Sequence, residues 1–504
     1  MRRLFLGLDC STQSLSAVLI DYDLKKVIYE KQLIFEKEFP EYGTTSGFLR
    51  EGNRVYSPPL MWVEALDRLF QEMQAERVDL KNVLAVSGSA QQHGSVYLNS
   101  AFLKGLRSYR FEGVFSRQSA PIWMDASTET ECEEIRGAMG GSLATIEATG
   151  SDTFERFTGP QIRKFYKTEP ENYAKTHSIA LVSSFLASLM SGQMAPIDYG
   201  DGSGMNLMDI RKKEWHPKAL EATAPDLRGK LPALSISSRR VGPVNPYFTK
   251  YGLNKEALSF VWTGDNPSSL IGLGLIEEGT VAVSLGTSFT YFGVLREWRI
   301  DPKGEGHLFV SPTGDYMTLN CYLNGALAIQ RMRESYGLDW PAFLRHLQTT
   351  PPGNHGAVLL PYYETEIIPK VLHPKLHRFN LKEGDVAANC RALIEAQMLS
   401  MRLHADWMNL RPKEIYATGG VSHHLPILQI LADVHNCRVL RSEVSKSTAL
   451  GAALRAAYGF FDNLTWREAV SGFTDPIPAV EPHLRSTRIY DALIEKYQAY
   501  EQSL

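Results

Sequence analysis

Asp265 stands in the run Thr263-Gly264-Asp265-Asn266-Pro267, after the apolar stretch LSFVW. A carboxylate at a strand end can take a proton from a hydroxyl. Asp-Asn-Pro also makes an ordinary turn or helix cap, and the local residues leave both readings open. Two small-residue turns suit phosphate: Asp9-Cys10-Ser11-Thr12-Gln13-Ser14 and Ser284-Leu285-Gly286-Thr287-Ser288. Small side chains let backbone N–H groups and hydroxyls come close to phosphate oxygens. Asp9 can hold magnesium through water, because magnesium keeps several of its waters. Either turn alone reads equally well as a plain hairpin. Gln91-Gln92-His93-Gly94 offers neutral hydrogen-bonding groups suited to a polyol. Arg156, in Phe154-Glu155-Arg156-Phe157, can clamp a ligand oxygen or pair with an acid. Trp123-Met124-Asp125 and Asp198-Tyr199-Gly200-Asp201-Gly202-Ser203 are further polar–aromatic clusters that sequence alone does not separate from loops. Together these are the parts of phosphoryl transfer, which asks for positioning and charge stabilisation rather than covalent chemistry.

The elements that must hold these residues repeat. Residues 6–18, LGLDCSTQSLSAV, and 281–293, VAVSLGTSFTYFG, are each an apolar strand, a small polar turn and a second apolar strand. They align without a gap and put Ser11, Thr12 and Gln13 opposite Gly286, Thr287 and Ser288. VLAVSG at 83–88 and EIYATGG at 414–420 are each a strand ending in glycine, and the second leads into the amphipathic run LPILQILADV. Ligands gather at such carboxyl ends of strands. The pattern predicts an α/β chain of two duplicated domains, 1–270 and 271–504.

A chain of 504 residues is too long for one core. Its 44% hydrophobic and 22% charged residues are ordinary for a globular protein, and a net charge of −3 gives no case for nucleic acid or an anionic membrane. The opening MRRLFLGLDC is cut short by Asp9 and reads as a strand rather than a signal peptide. No apolar stretch approaches the roughly 18 residues of a membrane helix. The five cysteines are widely spaced with no CxxC pair, which argues against a disulfide frame or zinc site and for a reducing cytoplasm.

These motifs, with PIWMDAST, ERFTGPQI, IDYGDGSGMNL, TGDNPSSL, VSLGTS, ATGGVSHH and STALGAALRA, resemble the FGGY carbohydrate kinases of the actin, hexokinase and heat-shock ATPase superfamily. The resemblance spans nearly the whole chain. It implies two actin-like (ribonuclease H-like) domains facing a central cleft, the sugar on the first and ATP on the second. It implies ATP-dependent phosphorylation of D-xylulose, with magnesium at Asp9 and Asp265 as catalytic base. Another ketose or polyol (ribulose, gluconate, glycerol) and a non-catalytic ATP-dependent sugar sensor are the alternatives, and a sensor needs no base. His93, Arg156, Asp265 and Asn266 would contact the sugar. Ser11, Thr12, Gln13, Gly286, Thr287 and Ser288 would meet the phosphates. Trp340, Gly419, Gly420, Val421 and His424 would meet the rest of the nucleotide, although the family pattern has Asn where this chain has His424. The resemblance also suggests a small-residue helix around 449–453 beneath the nucleotide sheet, and a last thirty residues that return to the first domain. The partners implied are a small sugar, no nucleic acid and no membrane, with a homodimer left open.

Overall fold

The structure, a computed structural model, describes residues 2–444 and 446–504. The chain forms two compact units. One comprises Met1–Ile276, Leu308–Tyr316 and Val444–Thr474, the other Glu277–His307, Met317–Glu443 and Asp475–Leu504.

In the first unit, β1 (Leu4–Cys10) and β2 (Ser14–Asp21) form an antiparallel hairpin that β3 (Lys26–Ile34) extends. Helix α1 (Pro59–Ala75) follows, with proline in its first turn. The chain then enters β4 (Val83–Ala90), which lies parallel to β1. After a long excursion come β5 (Arg240–Pro243) and β6 (Leu258–Phe260), giving the strand order β5-β6-β4-β1-β2-β3. The two-residue strand Thr263–Gly264 also pairs with β4 and leads into α2 (Asp265–Gly272). Strand side chains alternate between faces. Leu4, Leu6 and Leu8 pack in a core with Trp62, Leu66, Leu69 and Phe70 of α1, while Phe5 belongs to a separate core on the other face. With both faces covered, β1 reads as a continuous apolar run instead of an alternating one.

The second unit repeats this plan. β7 (Thr280–Leu285) and β8 (Phe289–Leu295) form an antiparallel hairpin, and β9 (Tyr316–Tyr322) lies beside β8. Helices α3 (Ala326–Ser335), α4 (Trp340–Thr349) and α5 (Val386–His404) come next. β10 (Glu414–Thr418) runs parallel to β7, and α6 (Leu425–His435) connects it to the parallel β11 (Arg438–Arg441). β1 ends at Cys10 and β7 at Leu285, β2 begins at Ser14 and β8 at Phe289, so both pairs are offset by 275 (285 − 10, 289 − 14). The hairpin repeat read from the sequence is therefore a structural repeat.

Two parts of the chain lie elsewhere than expected. Helix α7 (Ser447–Phe460) packs on the first unit's sheet, not beneath the second's. Its small residues fit small partners there. A Cβ on Gly7 would lie 2.0 Å from the Ala449 carbonyl oxygen, and one on Gly272 only 1.8 Å from that of Ser447. The last helix stays with the second unit. After the edge strand β12 (Ile477–Val480), α8 (Leu484–Gln502) buries Tyr490, Leu493 and Tyr497 in that unit's core. There Arg391 donates to the Tyr490 hydroxyl at 2.6 Å, and that hydroxyl donates to Glu395 at 2.8 Å. His404, at the end of α5, meets Glu501 of α8 at 3.0 Å and Glu305 at 3.5 Å.

Candidate active site

In the first unit the predicted residues gather where β1, β4 and α2 end or begin. β4 runs two residues past Gly88, the glycine expected to end it, because Ser89 and Ala90 go on pairing with Asp9 and Cys10 of β1, while the Trp262 ring fills the space beside that glycine. A Cβ there would lie 2.1 Å from the ring. The strand thereby delivers Gln91, Gln92 and His93 to its carboxyl end. Asp265 opens α2, and its carboxylate accepts the Asn266 N–H at 2.8 Å and an N–H of the Asn266 side-chain amide at 3.2 Å. The Gln92 backbone N–H also donates to it. Burial pushes this carboxyl up to about 7, and the negative charge of Asp9 adds to the effect. A group poised there takes or gives a proton near neutral pH. The Asn266 amide donates in turn to Gln92 Oε1 at 2.9 Å. The Nε2 groups of Gln91 and Gln92 are buried with no protein partner, an arrangement that a ligand oxygen would satisfy.

Asp9 is 6% exposed at the end of β1 and accepts the Ser89 hydroxyl at 2.7 Å. Burial raises its pKa against the hydrogen bonds of Ser89 and Thr448. The turn beyond it is closed by its own residues: Ser11 N–H donates to the Ser14 carbonyl at 2.9 Å, and the two serine hydroxyls lie 3.0 Å apart. Thr12 accepts the indole N–H of Trp123, a 45% exposed ring, at 2.8 Å. Gln13 is exposed.

His93 has a φ of 70° and stacks on Phe157 at 4.5 Å, with its Nδ1 2.9 Å from the Gly204 carbonyl oxygen. Burial, and then the charge of Arg156, lower its pKa to about 3, so the ring is neutral. The Arg156 guanidinium lies 4.9 Å from the Phe154 ring centre and 5.8 Å from that of Phe157.

The Asp198–Ser203 cluster is support for this site. Asp198 caps a short helix by accepting the N–H groups of Gly200 and Asp201 and takes the Thr263 hydroxyl, while Ser183 donates to Asp201. Sequence reasoning missed Arg455. This buried side chain of α7 donates to the Gly88 carbonyl at 2.6 Å and to the Val261 carbonyl and Ser87 hydroxyl at 3.2 Å, fixing the strand ends on either side of the Gln-Gln-His loop. Its one visible signal is a lone charge inside the small-residue run STALGAALRAA.

The second unit holds the other set. The carbonyls of Gly286 and Thr287 are taken by Ala326 and Leu327 N–H at 3.1 and 3.3 Å, in the first turn of α3. Gly419 has a φ of 86°, and a Cβ on it would lie 2.7 Å from the Leu285 carbonyl oxygen, so only glycine brings this loop against the end of β7. Gly420 faces open space, and Val421 is buried behind it. The rings of His424 and Trp340 stack at 4.1 Å and 27°, and Arg333 covers Trp340 at 4.5 Å. Trp340 also lines an open pocket of about 660 Å³ with Gln330, Arg333 and Glu334.

Residues 4–272 match the N-terminal domain of the FGGY family of carbohydrate kinases, and residues 281–460 match its C-terminal domain. The chain belongs to the FGGY family of carbohydrate kinases. It is 40% identical to the xylulose kinase of Rattus norvegicus over 527 residues, covering 100% of this chain and 97% of that protein. It is 41% identical to xylulose kinase 2 of Arabidopsis thaliana over 493 residues, covering 91% and 88%. Its fold is that of the xylulose kinase from Rhodospirillum rubrum, with a TM-score of 0.87 at 19% identity over 100% and 99% of the chains. It is also that of the Plasmodium falciparum glycerol kinase, with a TM-score of 0.83 at 16% identity over 100% and 98%. For a carbohydrate kinase, the two constellations divide sensibly. One is rich in polar side chains and holds a poised carboxylate, and the other is built of glycine and backbone.

Proposed function

We propose that this carbohydrate kinase transfers the γ-phosphoryl group of ATP to the terminal hydroxyl of D-xylulose, giving D-xylulose 5-phosphate. Identity of 40% to xylulose kinases along the whole chain supports the sugar. The observation that carries the chemistry is Asp265, a carboxylate held by two backbone N–H groups and poised near neutral pH. In this reading Asp265 takes the proton of the attacking hydroxyl as the bond to phosphorus forms. His93, Arg156 and Asn266 hold the other sugar oxygens. The turns at Ser11–Gln13 and Gly286–Ser288 hold phosphates, and Gly419, Gly420, Val421, Trp340 and His424 hold the rest of the nucleotide.

Magnesium fits Asp9 as a loosely held ion. A single buried carboxylate suits an oxygen-seeking cation that keeps waters and shares the phosphates. Among the described residues no group of three or more His, Cys, Asp or Glu side chains forms a cage. When bound, the ion neutralises charge on the phosphates. Five free thiols, four of them buried, suit a reducing cytoplasm. Among the described residues no helix is long and apolar enough to cross a membrane.

A coupled ADP-release assay with magnesium and D-xylulose, D-ribulose, gluconate or glycerol tests the proposal. ADP release that depends on D-xylulose, and exceeds that with the other three, is the expected result. Preference for another acceptor overturns the substrate, and sugar-independent or absent release overturns the kinase reaction.

A further inference from the structure

The setting of His93 fixes the direction of a hydrogen bond as well as its place. Nδ1 lies 2.9 Å from the Gly204 carbonyl oxygen, which only accepts. A neutral imidazole carries one N–H, so Nδ1 bears it and Nε2 is left with a bare lone pair. The ring has no room to turn away from this arrangement. It stacks on Phe157, its own carbonyl accepts the Thr158 hydroxyl at 3.0 Å, and its backbone is in the left-handed region. Gly204 permits the contact, because a Cβ there would lie 2.7 Å from Cε1 and Nδ1 of the ring. The charge on neighbouring Arg156 opposes a second proton on the ring.

We infer that His93 meets the ketose as a hydrogen-bond acceptor, its Nε2 taking an O–H from a sugar hydroxyl, and that Gly204 is the positioning residue that sets this direction. This rests on the reading that His93 contacts the sugar. The ketone oxygen, itself only an acceptor, is then repelled from Nε2 and left to donors such as Arg156. The pocket therefore demands a hydroxyl in front of His93, and a group that merely accepts does not serve.

Three experiments test this. In histidine-labelled holoenzyme, with the His93 signals assigned by their loss in His93→Gln, nitrogen NMR should find Nδ1 protonated and Nε2 unprotonated from pH 8 to pH 5. D-xylulose should then shift Nε2. A protonated Nε2 overturns the inference. An unprotonated Nε2 that ignores D-xylulose also overturns it, but through the reading that His93 touches the sugar, with the tautomer intact. The second measurement compares D-xylulose with analogues carrying hydrogen or fluorine in place of each non-reacting hydroxyl. At the hydroxyl facing His93, both replacements should raise KM equally, by about tenfold, since fluorine cannot donate. Fluorine that preserves binding wherever hydrogen loses it overturns the acceptor role. Gly204→Ala should raise KM for the ketose about tenfold, leave KM for ATP unchanged and move the Nδ1 signal. Unchanged KM and Nδ1 remove Gly204 from its role.

Discussion

The two hairpins β1–β2 and β7–β8 share one plan and differ in what they present. Where the first carries Asp9, the next-to-last residue of β1, the second has Ser284, at the same offset of 275 (284 − 9). Beside the first hairpin, β4 delivers two glutamines and a histidine. Beside the second, β10 delivers two glycines. One copy thus shows titratable and amide side chains, and the other shows backbone. The residues that could meet a ligand differ between the copies at their turns and strand ends. Two of the buried histidines also differ. His93 is neutral, whereas His404 is charged. Burial alone would lower the pKa of His404, but its hydrogen bonds and charge pairing with Glu305 and Glu501 outweigh that and hold it at about 9.

If the first copy holds the chemistry, Asp265→Asn should lower kcat by about 10²–10⁴-fold and leave both KM values close to their starting points. In the unaltered enzyme kcat should fall as pH drops below about 7, where Asp265 binds a proton and can no longer accept one. Steady-state kinetics across pH 5.5–9 measure both, and wild-type turnover in Asp265→Asn would erase the proposed division of labour. If the second copy works through backbone, Gly419→Ala should act on the nucleotide alone. Strain of about 1–3 kcal/mol at this φ should raise KM for ATP about tenfold or more with KM for the ketose unchanged. Equal changes in both would blur the two halves.

His404 sharpens the contrast through stability. Its folded pKa is raised above the usual 6.5, so its contribution is full below pH 6.5 and is lost as pH rises through about 9. This amounts to about 3 kcal/mol at about 1.4 kcal/mol per pKa unit. The urea midpoint should decline across that window, and His404→Gln should flatten the decline. The smallest effect belongs to Trp123→Phe. Losing one partly exposed hydrogen bond to Thr12 should lower kcat/KM about two- to threefold, and no change would leave the indole N–H without a part in holding the turn.

Much of this was legible in residue order. The hairpins announced themselves because apolar strands flank turns with no room for large side chains, and Asp265 stood out by following an apolar run. Other features left no local trace. A stripe such as Ala449, Gly451 and Ala453 fits any close-packed sheet, and only Gly7 and Gly272, hundreds of residues earlier, decide which one. The strand continues past Gly88 because Ser89 and Ala90 pair with Asp9 and Cys10, also remote in sequence. Asp198 and Arg455 looked like a loop acid and a helix charge until their partners Thr263 and the Gly88 carbonyl were placed beside them.

The position of α7 governs how the protein can be made. Phe5, Val18 and Ile20 are covered by Ala449, Ala453 and Leu454, so a nascent chain that has emerged only as far as residue 276 has every strand of the first sheet but leaves part of one apolar face bare. That face waits through translation of all but the last strand of the second sheet, and the first unit closes only when the segment ending at Thr474 leaves the ribosome. Such long-range closure is slow and aggregation-exposed. The first half expressed by itself should therefore need a chaperone or a supplied copy of residues 444–474 to stay in solution.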